Sequence, residues 1–491
     1  MTPSQNQVEP LAGRVFRGGV WLFSSYALSK LSRTGMMLII AALLSPAEYG
    51  IVALCTIIVM VAQLTNEAGI WQAVVYRADP NRQFLNTAFV MNIIGGVVIS
   101  VSFILAVPWI ASFFGEPEMT AVLRVMGLAL LADMLFYVPD GLLRKELRFK
   151  SRAVPEIAAT FGAGVATIGL LFLGVGIMSY AIGYAVESVI RCVLTLGQVR
   201  WRPKLQASWL YVREIASYAK PVLGSDLTRH SSSYVDYLIV GHVLGTRQLG
   251  FYTLALSLSN YLVENFARIL SRLAFPTFAT LQGDLSYARR VYLKMIQLVT
   301  ALVLPILTTL ALLATPLIGE LLGDKWQPAV VLLQIMVVAG ISRAVSFPSR
   351  DMLWGTGFPK IPFKVDVFEG VLITVVLLLI AAQGIEIIAI AVTVIRSLTS
   401  WTIMLVTCRV FGIRLRELGR VLVPGVALAA SGAAAILTLE LLVPDLLSGA
   451  PELIVLTAAA GAAMIFCLLT VCRGFFREVV TLLRSRKPVS T

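Results

Sequence analysis

Three residues near the start of the chain, Tyr26, Lys30 and Arg33, have a spacing that places them on one face of a helix. They fall inside a long apolar stretch that begins at Arg17. Ionisable side chains inside an apolar segment of spanning length are costly, so they are treated first as functional residues. Lys30 and Arg33 are therefore predicted to contact a substrate or an ion, and a structural role in a helix bundle is the alternative.

The apolar content of the chain indicates which elements must position these side chains. Of 491 residues, 58% are hydrophobic and 14% are charged. A membrane-spanning helix needs about 20 apolar residues, so the composition suffices for about 14 spans in an all-α polytopic membrane protein. Their predicted ranges are 17–44, 47–76, 84–113, 119–141, 154–174, 177–199, 215–244, 247–275, 290–316, 327–349, 363–383, 386–409, 418–440 and 452–473. This composition excludes a soluble enzyme, a nucleic-acid binder and a secreted disulfide scaffold.

The basic residues follow the alternation expected of membrane loops. The chain has 40 Lys+Arg and 27 Asp+Glu, a formal net charge of +13. With a cytoplasmic N-terminus, the outer loops hold only Arg247 and Lys325, and the remaining loop cations are cytoplasmic. Both termini are therefore predicted to be cytoplasmic. The five cysteines lie in apolar stretches as packing residues, and the two histidines exclude a multi-histidine metal site. No metal and no cofactor is predicted.

Two short motifs recur along the chain in the same order. Leu44–Gly50 matches Leu244–Gly250 at an offset of 200 residues, and Pro108–Gly115 resembles Pro316–Gly323 at an offset of 208. An even number of spans between the copies indicates a parallel repeat, which is typical of transporters with a site between two lobes. The predicted organisation is a cytoplasmic segment 1–14, an N-lobe 15–205, a C-lobe 206–412, helices 13 and 14 in 413–475, and a cytoplasmic tail 476–491.

Four segments of the chain resemble a known family. They are Leu44–Gly50, Leu244–Ala255, Phe275–Pro276 ahead of Asp284, and Leu322–Ala329. In this order they resemble the polysaccharide branch of the multidrug/oligosaccharidyl-lipid/polysaccharide exporter superfamily, the bacterial lipid-linked oligosaccharide flippases. The resemblance implies two six-helix lobes around a central cavity, two extra C-terminal helices, and a location in the bacterial inner membrane. It also implies a polyprenyl-diphosphate-linked sugar unit as substrate, with membrane lipids and polysaccharide polymerase or export machinery as partners and no nucleic acid.

Charges inside the predicted spans give the candidate site, because cations in a central cavity would suit a diphosphate headgroup. The predicted substrate-binding residues are Lys30, Arg33, Tyr26, Arg229, Asp226, Arg268, Arg343 and Arg396, and the candidates for ion coupling are Glu67, Glu264 and Asp366.

Each assignment has a structural alternative. Arg229–Glu264 and Asp226–Arg268 have matching depths for ion pairs between the seventh and eighth spans. The side chains of Arg343 and Arg396 can instead snorkel from span ends. Instead of ion coupling, Gln63, Asn66 and Glu67 can form hydrogen bonds to a neighbouring helix. Lys364, Asp366 and Glu369 can instead form a charge cluster at the membrane interface.

No signature of an enzyme is found in the sequence. It lacks a phosphate-binding Gly-x-x-x-x-Gly-Lys-Ser/Thr loop, a His-Glu-x-x-His motif and a Gly-x-Ser-x-Gly motif. The predicted function is a flippase that moves a polyprenyl-diphosphate oligosaccharide to the outer leaflet by alternating access. The alternatives are an exporter of lipid-linked peptidoglycan precursor or drugs from the same superfamily, and a membrane glycan polymerase or ligase. The short outer loops without histidine count against the last of these.

Overall fold

The computed structural model describes residues 33, 35–67, 69–280, 284–442 and 449–477, with side chains excluded mainly at 224–233 and 264–273. Every regular element in these ranges is helical. The helices are α1 (35–43), α2 (Pro46–Glu67), α3 (Ile70–Tyr76), α4 (Arg82–Phe114), α5 (Met119–Lys145), α6 (Phe149–Phe172), α7 (Met178–Gln198), α8 (Trp209–Val243), α9 (Thr246–Thr280), α10 (Leu285–Leu312), α11 (Ala314–Leu322), α12 (Pro328–Gly355), α13 (Lys360–Ile380), α14 (Ile385–Val410), α15 (Leu415–Leu442) and α16 (Ala450–Thr470). Two short 3₁₀ turns, Asp324–Trp326 and Ala381–Gln383, precede α12 and α14.

Eleven helices in the described ranges are long and apolar enough to cross a membrane. They are α2, α4 to α7, α10 and α12 to α16. The chain is thus an all-α polytopic membrane protein. The first predicted span lies largely outside the described residues, while the seventh and eighth correspond to α8 and α9, which are not among the eleven. The total of fourteen spans therefore stays a prediction.

The predicted span 47–76 is wrong as a single helix, because α2 and α3 are separated at Gly69. This residue has φ 70°, a backbone conformation that residues other than glycine rarely adopt. A Cβ atom at Gly69 would also lie 2.8 Å from Cα of Ala219 in α8. The polar residues 65–67 interrupt the apolar segment just before the break, and the backbone of α8 approaches closely at Gly69.

The helices form two compact units. The first comprises residues 1–234 and 245–250, and the second comprises 235–244 and 251–491. In the first unit, α5 packs against α2, α3, α4 and α7, and α6 packs against α7. In the second unit, α12 packs against α10 and α14, and α15 packs against α10 and α16. All five cysteines are buried and free, as expected for packing residues.

The second sequence repeat marks two helix ends that are each followed by a glycine with positive φ. Helix α4 ends at Phe114 and is followed by Gly115 with φ 70°, while α11 ends at Leu322 and is followed by Gly323 with φ 84°. Glycine is favoured at both positions because a positive φ is required there. The glycine of this motif is therefore explained by a positive φ after each helix.

Asp284 occupies the N-cap position of α10. Its carboxylate accepts hydrogen bonds from the Tyr287 backbone N–H at 2.9 Å and from the Ser286 hydroxyl at 2.7 Å. These bonds hold the pKa of Asp284 below its usual range. The aspartate of the family-like segment thus has a local role in starting a helix.

Candidate functional site: a charged cluster in the first unit

The predicted site residue Arg33 contacts two carboxylates. Its Nη2 atom lies 2.5 Å from Oε1 of Glu187 in α7 and 3.3 Å from Oε1 of Glu156 in α6. The side chains of Arg33 and Glu156 are 42% and 44% exposed, whereas that of Glu187 is 13% exposed. We call these three residues the Arg33 cluster. It presents a guanidinium that is held by carboxylates and still accessible.

The local sequence explains how the two glutamates meet. No charged residue occurs between Glu156 and Glu187, and this stretch forms most of α6, a turn and the first half of α7. Gly174 and Gly176 have φ of 77° and 65°, which allows the chain to reverse direction. Because α6 and α7 pack against each other, the residues that flank the uncharged stretch meet at Arg33.

A fully buried carboxylate lies next to this cluster. Asp133 of α5 accepts hydrogen bonds from Arg191 at 2.6 Å, from Gln63 at 2.9 Å and from the Tyr184 hydroxyl at 3.1 Å. We call these four residues the Asp133 network. Both oxygens of the buried carboxylate have partners, as a buried charge requires. Gln63 therefore bonds neighbouring helices, in agreement with its structural alternative.

Arg191 connects the Asp133 network to the Arg33 cluster. Its Nη1 atom lies 3.8 Å from Oε1 of Glu187, and its guanidinium lies 5.1 Å from the Phe136 ring centroid. The connected set contains three carboxylates and two guanidiniums, so it holds one more acid than base. At its exposed end, Arg33 can exchange a carboxylate for a phosphate, since a guanidinium binds both with the same forked geometry.

The second unit also contains a buried ion pair. Oδ2 of Asp236 accepts hydrogen bonds from Arg396 Nη2 at 2.9 Å and from the Tyr252 hydroxyl at 2.7 Å. The side chains of Asp236 and Arg396 are 1% and 7% exposed. The snorkelling alternative for Arg396 is therefore wrong. Arg396 lies near the middle of α14 and reaches a carboxylate on α8 instead of a membrane surface.

Comparison with known proteins identifies the family. The family model for polysaccharide biosynthesis proteins matches residues 39–331, which is more than half of the chain. The chain belongs to this family. Among relatives, TuaB of Bacillus subtilis strain 168, a teichuronic acid biosynthesis protein, is 26% identical over 65% of this chain and 66% of its own. The lipopolysaccharide biosynthesis protein WzxC of Escherichia coli K12 is 23% identical over 68% of each chain.

A third relative, the succinoglycan biosynthesis transport protein ExoT of Rhizobium meliloti strain 1021, is 25% identical over 69% of this chain and 68% of its own. The matches to these curated relatives thus span about two thirds of their length. Members of the polysaccharide biosynthesis family are membrane transporters, not enzymes, as the sequence predicted. A glycan polymerase or ligase does not agree with this family.

Solved structures show the fold of the family. The lipid II flippase MurJ in an inward closed conformation superposes with a TM-score of 0.74 at 12% identity, covering 94% of this chain and 99% of that chain. An inward-facing multidrug resistance MATE transporter of the MOP superfamily superposes with a TM-score of 0.61 at 15% identity, covering 79% and 94%. The predicted resemblance to polysaccharide exporters is confirmed by the family model, and the solved structures support the fold.

The other predicted site residues of this family member have separate locations. Asp366 is half-exposed and pairs with Arg350 of α12, and Arg343 is partly buried in α12. Glu369 accepts a hydrogen bond from Thr399 of α14. Tyr26 and Lys30 lie outside the described residues, as do the side chains of Glu67, Asp226, Arg229, Glu264 and Arg268. The pairs Arg229–Glu264 and Asp226–Arg268 therefore stay predictions.

Four residues of the described site were not among the predicted ones: Asp133, Glu156, Glu187 and Arg191. Each is an ionisable residue in an apolar helix, which is the signal that selected Arg33. When spans are predicted from uncharged stretches, such residues mark only where a stretch ends and are not considered as site residues. An explicit list of every charge within the predicted spans would have included all four.

Proposed function

We propose that this protein flips polyprenyl-diphosphate-linked oligosaccharide repeat units from the inner to the outer leaflet of the bacterial cytoplasmic membrane. Alternating access moves the headgroup during synthesis of a cell-surface polysaccharide, and both termini are cytoplasmic. The family and its relatives in teichuronic acid, lipopolysaccharide and succinoglycan biosynthesis support this substrate class. The observation that carries the proposal is the half-exposed guanidinium of Arg33 among spanning helices.

In this proposal Arg33 binds the diphosphate of the substrate. Glu156 is the carboxylate that leaves, because it is the more exposed partner and its contact with Arg33 is the longer one, at 3.3 Å. Glu187 stays, because it is nearly buried and also lies 3.8 Å from Arg191. Lys30 and Tyr26, whose spacing predicts a shared helix face with Arg33, contribute to the same binding site in this proposal. Exposed ion pairs have small net energies, so the exchange of one anion for another requires little free energy.

A second candidate function is the export of organic cations, with the same fold. The connected set of Asp133, Glu156, Glu187, Arg33 and Arg191 has one more carboxylate than guanidinium. An excess carboxylate attracts a cation, so the charge balance near Arg33 supports this alternative. A lipid-linked peptidoglycan precursor would present the same diphosphate chemistry to Arg33 and is distinguished by its sugar and peptide groups.

The test is a leaflet-access assay with purified protein in vesicles that contain a lipid-linked oligosaccharide in one leaflet. Wild-type protein is expected to change the sidedness of the lipid, and Arg33→Gln is expected to slow this at least about tenfold. Arg148→Gln is the matched control, since Arg148 is similarly exposed and pairs with Glu146 between α5 and α6. It is expected to keep the wild-type rate.

Failure of the wild-type protein beside an active control flippase would contradict the proposal. Uptake of a fluorescent organic cation by the same vesicles, without movement of the oligosaccharide lipid, would establish the second candidate.

A further inference from the structure

A buried carboxylate near the end of α5 holds two arginines side by side. Asp140 is 2% exposed, and its Oδ2 atom accepts a hydrogen bond from Nε of Arg144 at 2.6 Å. Its Oδ1 atom accepts a hydrogen bond from Nε of Arg152 at 2.7 Å. The two guanidiniums lie next to each other, because they bind the two oxygens of one carboxylate. We call these three residues the Asp140 site.

The sequence at the junction of α5 and α6 explains this arrangement. Asp140 and Arg144 are four residues apart and share a face of α5, while Arg152 lies in the first turn of α6. The turn between the two helices contains Leu147 with φ 54°, a conformation that leucine rarely adopts. This turn brings Arg152 back to the carboxylate of the preceding helix.

Arg144 is also held by an aromatic ring. Its guanidinium carbon lies 3.8 Å from the centroid of the Trp71 ring in α3, which is a cation–π contact. A Cβ atom on Gly141, one turn before Arg144, would lie 3.2 Å from the carbonyl oxygen of Trp71. The glycine thus allows α3 and α5 to approach closely, and the ring and the carboxylate together fix the orientation of Arg144.

The terminal nitrogens of both arginines are available to a ligand. Arg144 and Arg152 bind Asp140 through Nε, and in the described part of the chain their Nη atoms have no hydrogen-bond partner. The two side chains are 29% and 34% exposed. Two guanidiniums face one carboxylate, so the Asp140 site carries one positive charge in excess. The site therefore offers oriented donors and a net charge to an anion.

The location of the Asp140 site favours an anion carried by a lipid. Arg144 lies in the last turn of α5 and Arg152 in the first turn of α6, and both helices are long and apolar enough to span a membrane. The ends of spanning helices lie at the depth of the lipid headgroups, where tryptophan is enriched. The forked donors of arginine match the oxygens of a phosphate group.

We propose that the Asp140 site binds the phosphate group of a lipid headgroup at the membrane surface. An anionic phospholipid and a polyprenyl diphosphate share this chemistry. Asp140 is a positioning residue, because it orients both guanidiniums and leaves the Nη atoms to the phosphate. Arg152 and Glu156 are four residues apart on one face of α6, so a diphosphate lipid bound here lies about one turn from the Arg33 cluster. Only this last step, entry of the substrate, rests on the proposed function.

The test is a binding measurement with full-length protein in neutral detergent. Polyprenyl diphosphate and phosphatidylglycerol are titrated separately, and the Kd of each is obtained from the rise in thermal stability with lipid concentration. All proteins carry Arg33→Gln, so that the proposed substrate contact at Arg33 does not contribute. The parent protein is expected to bind at least one of the two lipids.

Two variants remove the site without leaving a buried charge unpaired. Arg152→Gln leaves Asp140 paired with Arg144 and is expected to weaken lipid binding at least about fivefold. Asp140→Asn/Arg144→Gln/Arg152→Gln removes both cations together with the buried charge and is expected to weaken binding at least about tenfold.

Arg148→Gln is the matched control for both variants. The Nη atoms of Arg148 already bind Glu146 at 3.4 Å and Ser151 at 3.2 Å, although its side chain is 37% exposed. This variant is expected to keep the Kd of the parent protein. A loss equal to that of the triple variant would overturn the proposal, because it would show a general effect of surface charge.

The two lipids distinguish the source of the phosphate. Weaker binding of polyprenyl diphosphate by the triple variant would support an entry site for the substrate, and weaker binding of phosphatidylglycerol would support a site for a membrane phospholipid. Equal affinities of the parent and triple variant, or no binding of either lipid, would overturn the proposal. Inorganic diphosphate bound as tightly as the lipids would overturn the assignment to a headgroup. Intact lipid binding without translocation by the wild-type protein would contradict the proposed function alone.

Discussion

Among the described residues, the two units differ in whether a buried arginine–aspartate pair is linked to an exposed arginine. In the first unit, a buried carboxylate, Asp133, is linked through Arg191 to a cluster in which Arg33 is 42% exposed. In the second unit, Arg396 is 7% exposed and is closed off by its bonds to Asp236. Arg191 and Arg396 both lie on the last helix of their predicted six-helix half, α7 and α14. Arg33 and Arg396 are both arginines, so the difference between them lies in the exposed fraction of the side chain. An exposed arginine can bind a substrate, whereas a buried arginine holds helices together.

Removal of Arg396 is the strongest way to challenge this comparison. Arg396→Ala leaves the carboxylate of Asp236 buried, with Tyr252 as its remaining partner among the described side chains. Unpaired buried charges cost about 3–5 kcal/mol. The free energy of unfolding should fall by this amount, with a matching loss of folded protein in the membrane. Thermal unfolding in detergent measures it. The double variant Asp236→Asn/Arg396→Gln should recover part of the loss, and a single variant as stable as wild type would remove the structural role.

The Asp133 network should respond less strongly. Asp133→Asn keeps the shape and the contacts with Gln63 and Tyr184 but removes the charge that faces Arg191. Arg191 still has Glu187 at 3.8 Å, so the expected loss is about 1–3 kcal/mol. Thermal unfolding of this variant beside Arg396→Ala gives the order of the two. A larger loss for Asp133→Asn would show that the first unit depends more on its buried charge than the second.

Arg33→Lys sharpens the functional side of the comparison. Lysine keeps the positive charge but loses the forked geometry that binds two oxygens of one phosphate group. Translocation is expected to fall about threefold to tenfold, less than in Arg33→Gln. Stability should change by less than about 1 kcal/mol, because half-exposed ion pairs contribute little. Equal rates for Arg33→Lys and Arg33→Gln would show that the positive charge at position 33 makes no contribution to translocation.

The two glutamates that hold Arg33 should differ from each other by a small margin. Glu156→Gln removes the more exposed partner and is expected to change translocation by no more than about twofold. Glu187→Gln removes the closer carboxylate of Arg33, at 2.5 Å, and also the second carboxylate near Arg191, so it should have the larger effect. Initial rates in the same vesicles compare them. A greater loss for Glu156→Gln would reverse the assignment of the leaving carboxylate.

Composition and hydropathy predicted the membrane class, the helical fold and most helix positions, because apolar segments of spanning length must be helical. The break at Gly69 could not be predicted, since it depends on the approach of Ala219 from α8. Arg33 was predicted as a site residue, but its partners Glu156 and Glu187 lie 123 and 154 residues away in sequence.

The burial of Arg396 could not be predicted either, because its partner Asp236 is located 160 residues earlier in the sequence. Leu44–Gly50 and Leu244–Gly250 were visible as a repeat, whereas the close approach of Gly50 to Thr246 and of Gly250 to Pro46 is a property of the folded chain. Periodicity and composition describe a helix by itself. The partner of a given side chain depends on helix tilt and packing, which the order of residues in one chain leaves open.

Arg33 is proposed to bind the substrate, whereas Arg396 stabilises the fold. The most direct measurement is the initial rate of lipid-linked oligosaccharide translocation by equal amounts of folded wild-type and Arg33→Gln protein in the same vesicles. Arg33→Gln is expected to keep wild-type thermal stability and to lose at least about tenfold in translocation rate. A wild-type rate from Arg33→Gln would contradict the proposed role of Arg33.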